Sequence, residues 1–169
     1  MSTRQFKSIE VMIEQLYPDI DKVVIFTLED LSYALPLANI IRIIHAVEVS
    51  LLPKAPAIIE GIINVGGRII AVVDMRKRFG LVSREMSIDD NLIIVKTEKR
   101  ELALWVDTVS GINEIMPGKY SDTKATLPYA EYIKGVAKTE EGIILIYDLE
   151  QCLNLAEEME LEQALSKQN

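Results

Sequence analysis

The sequence predicts a mainly β protein built as two five-stranded barrels, with a helix at each end of the chain. Between residues 23 and 147, short apolar and β-branched runs alternate with turn residues, at the density expected of small barrels. The block GIINVGGRIIAVVDM from Gly61 matches GVAKTEEGIILIYDL from Gly135. Tyr33-Ala34-Leu35 likewise matches Leu102-Ala103-Leu104 in the second half. Two copies of one five-stranded unit explain these matches, and small closed barrels leave few exposed strand edges.

The elements follow from periodicity and turn signals. Apolar residues recur at helical spacing from Phe6 to Leu16 and Pro18 ends the pattern, so residues 1–20 should form a helical extension. Gly66-Gly67 predicts a hairpin, because both glycines accept positive φ. The strands are expected at residues 23–28, 32–35, 40–47, 62–65, 68–73, 92–96, 101–106, 112–116, 133–138 and 143–147.

These strands suggest a domain division. The β region, residues 21–153, should contain a first barrel over about 23–80 and a second over about 91–148. The chain should cross between them near residues 80–90, where strands could be exchanged. Residues 149–169 should form a C-terminal helix with a frayed tail. Its apolar face should contain Leu149, Cys152, Leu153, Ala156 and Met159.

Composition excludes several classes of function. The chain has 169 residues and a net charge of -8, which disfavours binding to nucleic acid or to an anionic membrane surface. One cysteine and one histidine exclude an internal disulfide and any multi-histidine metal site. No phosphate-binding glycine motif is present. We therefore expect a cytoplasmic protein with no cofactor, no bound metal and no membrane insertion.

Few residues suggest catalysis. Asp74 and Asp148 each follow an apolar strand and are interpreted as N-caps of the next helical turn rather than as acids of a site. His45 has no recognisable nucleophile or orienting group, so catalysis is not predicted. Cys152 should pack as a buried hydrophobe, and Trp105 should lie in the core.

A basic cluster follows the first Gly-led block. It consists of Arg76, Lys77, Arg78 and Arg84. Such a run is usually a solvated helical face, and the alternative is a surface that receives an acidic partner.

The sequence between Val23 and Leu153 resembles the CheW family of bacterial chemotaxis coupling proteins. The resemblance rests on three motifs, P-x-A-P-x-x-x-x-G, strand-D-x-R and V-D-x-V. They appear here as Pro53, Ala55, Pro56 and Gly61; as Asp74 and Arg76; and as Val106, Asp107 and Val109.

The resemblance implies a fold and a function. The fold would be two SH3-like barrels, in agreement with the duplication. The function would be that of a non-enzymatic adaptor, joining the cytoplasmic hairpin tip of chemoreceptors to the regulatory domain of a histidine kinase. It would be recruited from the cytoplasm to membrane-associated receptor arrays. The receptor-binding residues would be Ile40, Arg42, Ile44, Asn64, Gly66, Gly67 and Arg68.

The sequence departs from the family at the hairpin. The family usually has an arginine at the position of Gly66 and a pairing glutamate at the position of Arg42, and both are changed here. We therefore hypothesise that Arg42, with Arg68 if the hairpin is regular, presents positive charge to the receptor.

Other functions remain open at this stage. The altered hairpin is compatible with a CheW-like scaffold of another kinase pathway, such as surface motility or gene regulation. A small-ligand or enzymatic site near His45 and a self-assembling structural protein are further alternatives.

Overall fold

Two β-sheets account for most of the described chain. The computed structural model describes residues 22–114, 120–121, 132–139 and 142–167. They form a six-stranded and a five-stranded sheet, in two compact units. The predicted helical extension at 1–20, the end of the predicted strand 112–116 and the last residues of the tail lie outside the described residues. The prediction of a mainly β chain is confirmed.

The first unit combines the described parts of residues 1–39 and 109–149. Its sheet has the order β8-β1-β2-β11-β10-β9. Val23, Ile25, Ala34, Ala137, Ile144 and Ile146 form its buried apolar cluster. The strands are β1 (Lys22–Leu28), β2 (Leu31–Pro36), β8 (Thr108–Glu114), β9 (Tyr120–Ser121), β10 (Ile133–Thr139) and β11 (Gly142–Tyr147).

The second unit combines residues 40–108 with the described residues from 150 onward. Its sheet has the order β3-β6-β7-β5-β4. Its core includes Ile63, Ile70, Val72, Leu92, Ile94, Ala103 and Trp105. The elements are β3 (Ile40–His45), β4 (Ile59–Val65), β5 (Arg68–Asp74), α1 (Met75–Arg78), β6 (Asn91–Lys96), β7 (Glu101–Val106) and α2 (Leu155–Ser166).

The pairings confirm the internal duplication. In one sheet β5 pairs in parallel with β7, Val72 opposite Ala103. In the other, β11 pairs in parallel with β2, Ile146 opposite Ala34. The hairpins β4–β5 and β10–β11 carry equivalent register shifts, each next to the glycine that leads its block. Sequence-equivalent residues therefore occupy equivalent places in two sheets that share one five-strand order, to which the first unit adds β9.

Neither sheet is built from one of the predicted barrel ranges, 23–80 or 91–148, alone. Each range supplies strands to both units: β1 and β2 join β8, β10 and β11, whereas β6 and β7 join β3, β4 and β5. The chain passes between units at 39–40, 108–109 and 149–150, and the segment 80–90 stays within the second unit. The hairpins of the two halves are alike, so each can occupy the equivalent place beside the other half's strands.

The C-terminal helix differs from the prediction. A single 3-10 turn, Leu149–Gln151, follows Asp148, and α2 begins only at Leu155. Asn154 and Glu157 form a capping box, which starts a new helix. Its buried residues are Glu158, Leu161 and Ala164, whereas the predicted Ala156 and Met159 are exposed. The prediction of one helix from Leu149 was therefore wrong.

The cap prediction for Asp74 is confirmed. Its carboxylate accepts hydrogen bonds from the backbone N–H groups of Arg76 and Lys77, at 3.0 and 3.2 Å. The predicted buried positions of Cys152 and Trp105 are also confirmed.

The basic cluster is not a solvated face. The Arg76 guanidinium lies 2.5 Å from Asp107, and that of Arg78 lies 2.5 Å from Glu157 of α2. Arg84 binds Asp90 at 2.8 Å. Three of the four cations therefore stabilise the second unit internally, and Arg76 and Arg78 do so through carboxylates that are distant in sequence.

Arg100 anchors α2 to the turn between β6 and β7. Its guanidinium donates to Glu158 at 2.8 Å and to Glu162 at 2.7 Å. We expect Arg100→Met to destabilise the protein by about 1–3 kcal/mol, because it leaves the buried Glu158 without a cation. The amides of α2 should exchange hydrogen faster. The neighbouring, exposed Lys99→Met is the control and should change stability by no more than about 0.5 kcal/mol. Unchanged protection of α2 in Arg100→Met would rule out this anchoring.

Candidate functional site

An open groove of about 780 Å³ is the main candidate site in the described part of the second unit. One wall is the end of β3 with the segment that follows it, and the other is β4 with the β4–β5 turn. The lining residues are Arg42, Ile44, His45, Ala46, Val47, Glu48, Ser50, Ile62, Ile63, Asn64, Val65, Gly66 and Ile69.

The strand order creates this groove. β3 and β4 lie at opposite edges of the five-stranded sheet. They are joined through Ser50, whose N–H donates to the Ile62 carbonyl at 2.9 Å while its own carbonyl accepts from the Ile62 N–H at 2.8 Å. A groove remains beside this bridge, where the two edges are not paired with each other.

Gly61 permits the close approach at the bridge. A Cβ atom placed on Gly61 would overlap the Ser50 carbonyl oxygen and lie 2.8 Å from Cγ1 of Val49. Only glycine therefore leaves room for the segment that follows β3.

The turn at the end of the groove is a tight hairpin, as predicted. Gly66 and Gly67 have φ values of +59° and +86°. The Gly67 N–H donates to the Asn64 side-chain oxygen at 2.9 Å. Asn64 therefore both fixes the turn and lines the groove.

Four of the seven predicted receptor-binding residues lie together in the groove, and three do not. Arg42, Ile44, Asn64 and Gly66 line it. Gly67 belongs to the turn, and Ile40 lies before the register shift of β3, opposite Val95. Arg68 binds Glu101 of β7 at 2.6 Å. The charge of Arg68 is thus partly compensated within the fold.

Arg42 differs from the other described arginines. It is exposed, and it forms no ion pair with any residue in the described ranges. Arg68, Arg76, Arg78, Arg84 and Arg100 all do. The groove therefore presents a cation whose charge is not compensated by a described carboxylate.

Apolar side chains form much of the remaining surface. Ile44 packs against the core of the second unit and also lines the groove. Ile69 is 53% exposed beside Asn64 in the sheet register. Sequence reasoning missed Ile69 and Ile62, because the strands that hold them carry apolar residues on both faces. It also missed Val47, which lies in the segment after β3.

A second pocket of about 360 Å³ adjoins the groove and shares three of its residues, Ala46, Val47 and Glu48. Its other lining residues are Val49, Glu60, Met86, Ser87 and Ile88. We call it the acidic chamber, because Glu48 and Glu60 are its charged residues. Neither glutamate forms an ion pair with another described residue.

Asp90 connects the walls of the acidic chamber. Its carbonyl accepts from the Ala46 N–H at 3.0 Å on one side. Its carboxylate accepts from the Ser87 N–H at 2.8 Å, from the Trp105 indole N–H at 3.0 Å and from both terminal nitrogens of Arg84 at 2.8 Å. Burial opposes ionisation of Asp90, but these hydrogen bonds outweigh it and lower its pKa below the ordinary value.

His45 lines the groove, and no described serine or cysteine donates a hydrogen bond to it. Within the described ranges, no group of three His, Cys, Asp or Glu residues could hold a metal ion. None of the described helices is both long and apolar enough to span a membrane. An apolar groove with uncompensated charges is suited to binding another macromolecule.

Known proteins are similar to this chain in sequence and in fold. Residues 22–157 match the CheW-like domain. The chemotaxis protein CheW of Thermotoga maritima is 27% identical over 132 residues, 78% of this chain and 87% of that relative. The chemotaxis protein CheW of Klebsiella aerogenes is 27% identical over 151 residues, 85% of this chain and 87% of the relative.

A solved structure extends this similarity to the fold. The crystal structure of the scaffolding protein TtCheW from Thermoanaerobacter tengcongensis matches with a TM-score of 0.75 and 31% sequence identity. The match covers 82% of this chain and 95% of that protein. The two predicted SH3-like β units are thereby confirmed. The chain belongs to the CheW family, a family of chemotaxis scaffold and adaptor proteins rather than of enzymes.

Proposed function

We propose that this protein is a non-enzymatic adaptor that couples the cytoplasmic tips of chemoreceptors to the regulatory domain of a chemotaxis histidine kinase. It acts in the cytoplasm, on receptor arrays to which it is recruited. The observation that carries the proposal is the match of residues 22–157 to the CheW-like domain. The groove supplies an apolar surface with a cation at its margin, to which the receptor would bind.

In this proposal the receptor tip presents a helical hairpin, and the groove accommodates one apolar face of a helix. Ile44, Val47, Ile62 and Ile69 offer apolar contact area, and Asn64 and Ser50 add polar groups at its margins. Helices recognised in such grooves contribute apolar residues at intervals of three and four positions. Of the residues predicted from the sequence, we propose Arg42, Ile44, Asn64 and Gly66 as receptor contacts.

Coupling requires more than simultaneous binding. The adaptor can change kinase activity only if it binds two activity states of the kinase–receptor assembly with different affinity. A difference of 1.4 kcal/mol in binding free energy shifts the ratio of the two states about tenfold. The continuous strand pairing within each sheet suits a scaffold that presents fixed binding surfaces to its partners.

Co-purification of three components tests the proposal. The immobilised protein should retain a kinase regulatory domain and a receptor cytoplasmic hairpin from the same organism. Ile69→Glu should weaken retention of the hairpin about tenfold or more, because it places a charge in the apolar groove, and should leave the kinase domain bound. Circular dichroism would verify that the variant is folded.

The control is Val82→Glu. Val82 is 81% exposed in the same unit and does not line the groove, so this variant should bind both partners. Failure of the wild-type protein to retain any receptor hairpin would contradict the proposal. Retention of the regulatory domain from a motility or gene-regulation kinase, in preference to that of the chemotaxis kinase, would assign the chain to another pathway.

A further inference from the structure

We propose that the groove and the acidic chamber together bind one helical segment of the receptor in a single direction. An acidic residue of that segment would face Arg42, and a basic residue would face Glu48 and Glu60. This inference rests on the proposed receptor-binding function and adds the charge pattern and the orientation of the partner. It concerns residues of the second unit alone.

The continuity of the two pockets is the first step. Ala46, Val47 and Glu48 line both of them, so an occupant of the groove can extend directly into the acidic chamber. Apolar residues continue along this path. Ile44 and Ile69 line the groove, Val47 lies at the junction, and Met86 and Ile88 line the chamber. The whole path therefore presents one apolar surface to a ligand.

The distribution of charge is the second step. Arg42 lines only the groove, Glu60 lines only the chamber, and Glu48 lies where they meet. Glu48 follows Arg42 by six positions, so at most about 20 Å of extended chain lies between them. The path therefore has a positive end and a negative end.

These charges are not used to stabilise the described fold. The other described arginines all have carboxylate partners, and Glu157, Glu158 and Glu162 are held by arginines. Arg42, Glu48 and Glu60 have no ion-pair partner among the described residues. Charged groups placed beside apolar surface and left uncompensated contribute most when a partner of opposite charge arrives and excludes water.

The chamber wall is held in position before any ligand binds. Asp90 links Ser87 on one wall to Ala46 on the other, through its carboxylate and its carbonyl. Arg84 makes a two-point contact with Asp90 and also binds Asp107, at 3.2 Å. A preorganised wall lowers the conformational entropy lost on binding.

The partner that fits is a helix with a defined charge pattern. A helix advances about 5.4 Å per turn, so an acidic and a basic residue up to about four turns apart could reach the two ends. The face between them must be apolar. The reversed helix would place its acidic residue beside two glutamates and its basic residue beside Arg42, and like charges across an interface are strongly unfavourable.

Charge reversal at each end tests this inference. The probe is a receptor cytoplasmic hairpin that the wild-type protein retains in the co-purification above. Arg42→Glu and Glu60→Lys should each raise its dissociation constant about tenfold at low ionic strength, and the effect should shrink as salt is added. Lys99→Glu and Glu98→Lys make the same charge changes on the exposed β6–β7 turn and should bind as wild type.

Rescue distinguishes orientation from a general charge effect. Acidic residues of the receptor hairpin are changed singly to lysine, and basic ones singly to glutamate. One acidic-to-lysine change should restore the binding of Arg42→Glu but not that of Glu60→Lys, and one basic-to-glutamate change should do the opposite. Wild-type affinity in both charge-reversal variants, or rescue of both by the same receptor change, would overturn the inference while leaving the adaptor function intact. Absence of hairpin binding by the wild-type protein would instead remove the adaptor function, and the inference with it.

Discussion

Gly61→Ala is expected to destabilise the second unit by about 2–5 kcal/mol. The added methyl group would overlap the Ser50 carbonyl and crowd Val49, neither of which is a flexible side-chain end. Relieving the overlap requires the two strand edges to separate, which breaks both hydrogen bonds between Ser50 and Ile62. Overpacking typically costs about 1–3 kcal/mol and each lost hydrogen bond about 1 kcal/mol. Chemical denaturation of the full chain measures the change.

Gly66→Ala is the control for the stability loss of Gly61→Ala. Gly66 has φ of +59° and open space around it, so Gly66→Ala should cost only about 1 kcal/mol, from backbone conformation alone. Hydrogen exchange should locate the damage of Gly61→Ala at Ser50 and Ile62. A stability loss no greater than that of Gly66→Ala would show that the segment after β3 can move away without cost, and the proposed role of Gly61 would then be wrong.

Asp90→Ala should destabilise the protein by about 3 kcal/mol near neutral pH. The substitution leaves the buried Trp105 indole N–H and the Ser87 N–H without an acceptor and releases Arg84. The contribution of Arg84 is the smaller part, because its side chain is 37% exposed and partly screened by water. Asp89→Ala, the exposed neighbour, should stay within about 0.5 kcal/mol of wild type in the same denaturation experiment.

The pH dependence of the unfolding free energy tests separately whether Asp90 acts through its charge. The folded-state pKa of Asp90 lies below its ordinary value, so the ionised carboxylate contributes fully above the unfolded-state pKa of about 3.9. That contribution is lost as pH falls through the lower, folded-state pKa. The difference in unfolding free energy between wild type and Asp90→Asn should therefore be constant from about pH 5 to 7 and shrink below about pH 4. A difference that does not change with pH would show that Asp90 acts without its charge.

Local signals allowed much of the fold to be predicted. The Gly66-Gly67 hairpin and the Asp74 cap depend on neighbours a few residues away, and the structure confirms both. Asn154 and Glu157 carried the capping-box signal for the start of α2, but the apolar spacing from Leu149 masked it. Short-range rules thus succeeded where one local signal was not contradicted by another.

Long-range pairings could not be predicted in the same way. Nothing near Arg76 or Arg84 in sequence indicates that Asp107 would bind both. Glu60 joins the acidic chamber only because the segment after β3 passes beside β4. The family resemblance indicated seven receptor-binding residues, and four of them line the groove. Arg68, which the hypothesis grouped with Arg42, pairs with Glu101, a residue 33 positions away on another strand, and no local signal indicated this pairing.

The exchange of hairpins between the two halves makes each half structurally dependent on the other. A lone copy, with strands equivalent to β1–β5, would hold a hairpin whose partner strands in the present chain belong to the other copy. It could reproduce these pairings only by trading hairpins with a second molecule, as in a domain-swapped dimer. Fusion of two copies in one gene would make that trade intramolecular and independent of protein concentration. Cutting this chain between residues 80 and 90 should accordingly yield fragments that reassemble with each other rather than two autonomous barrels.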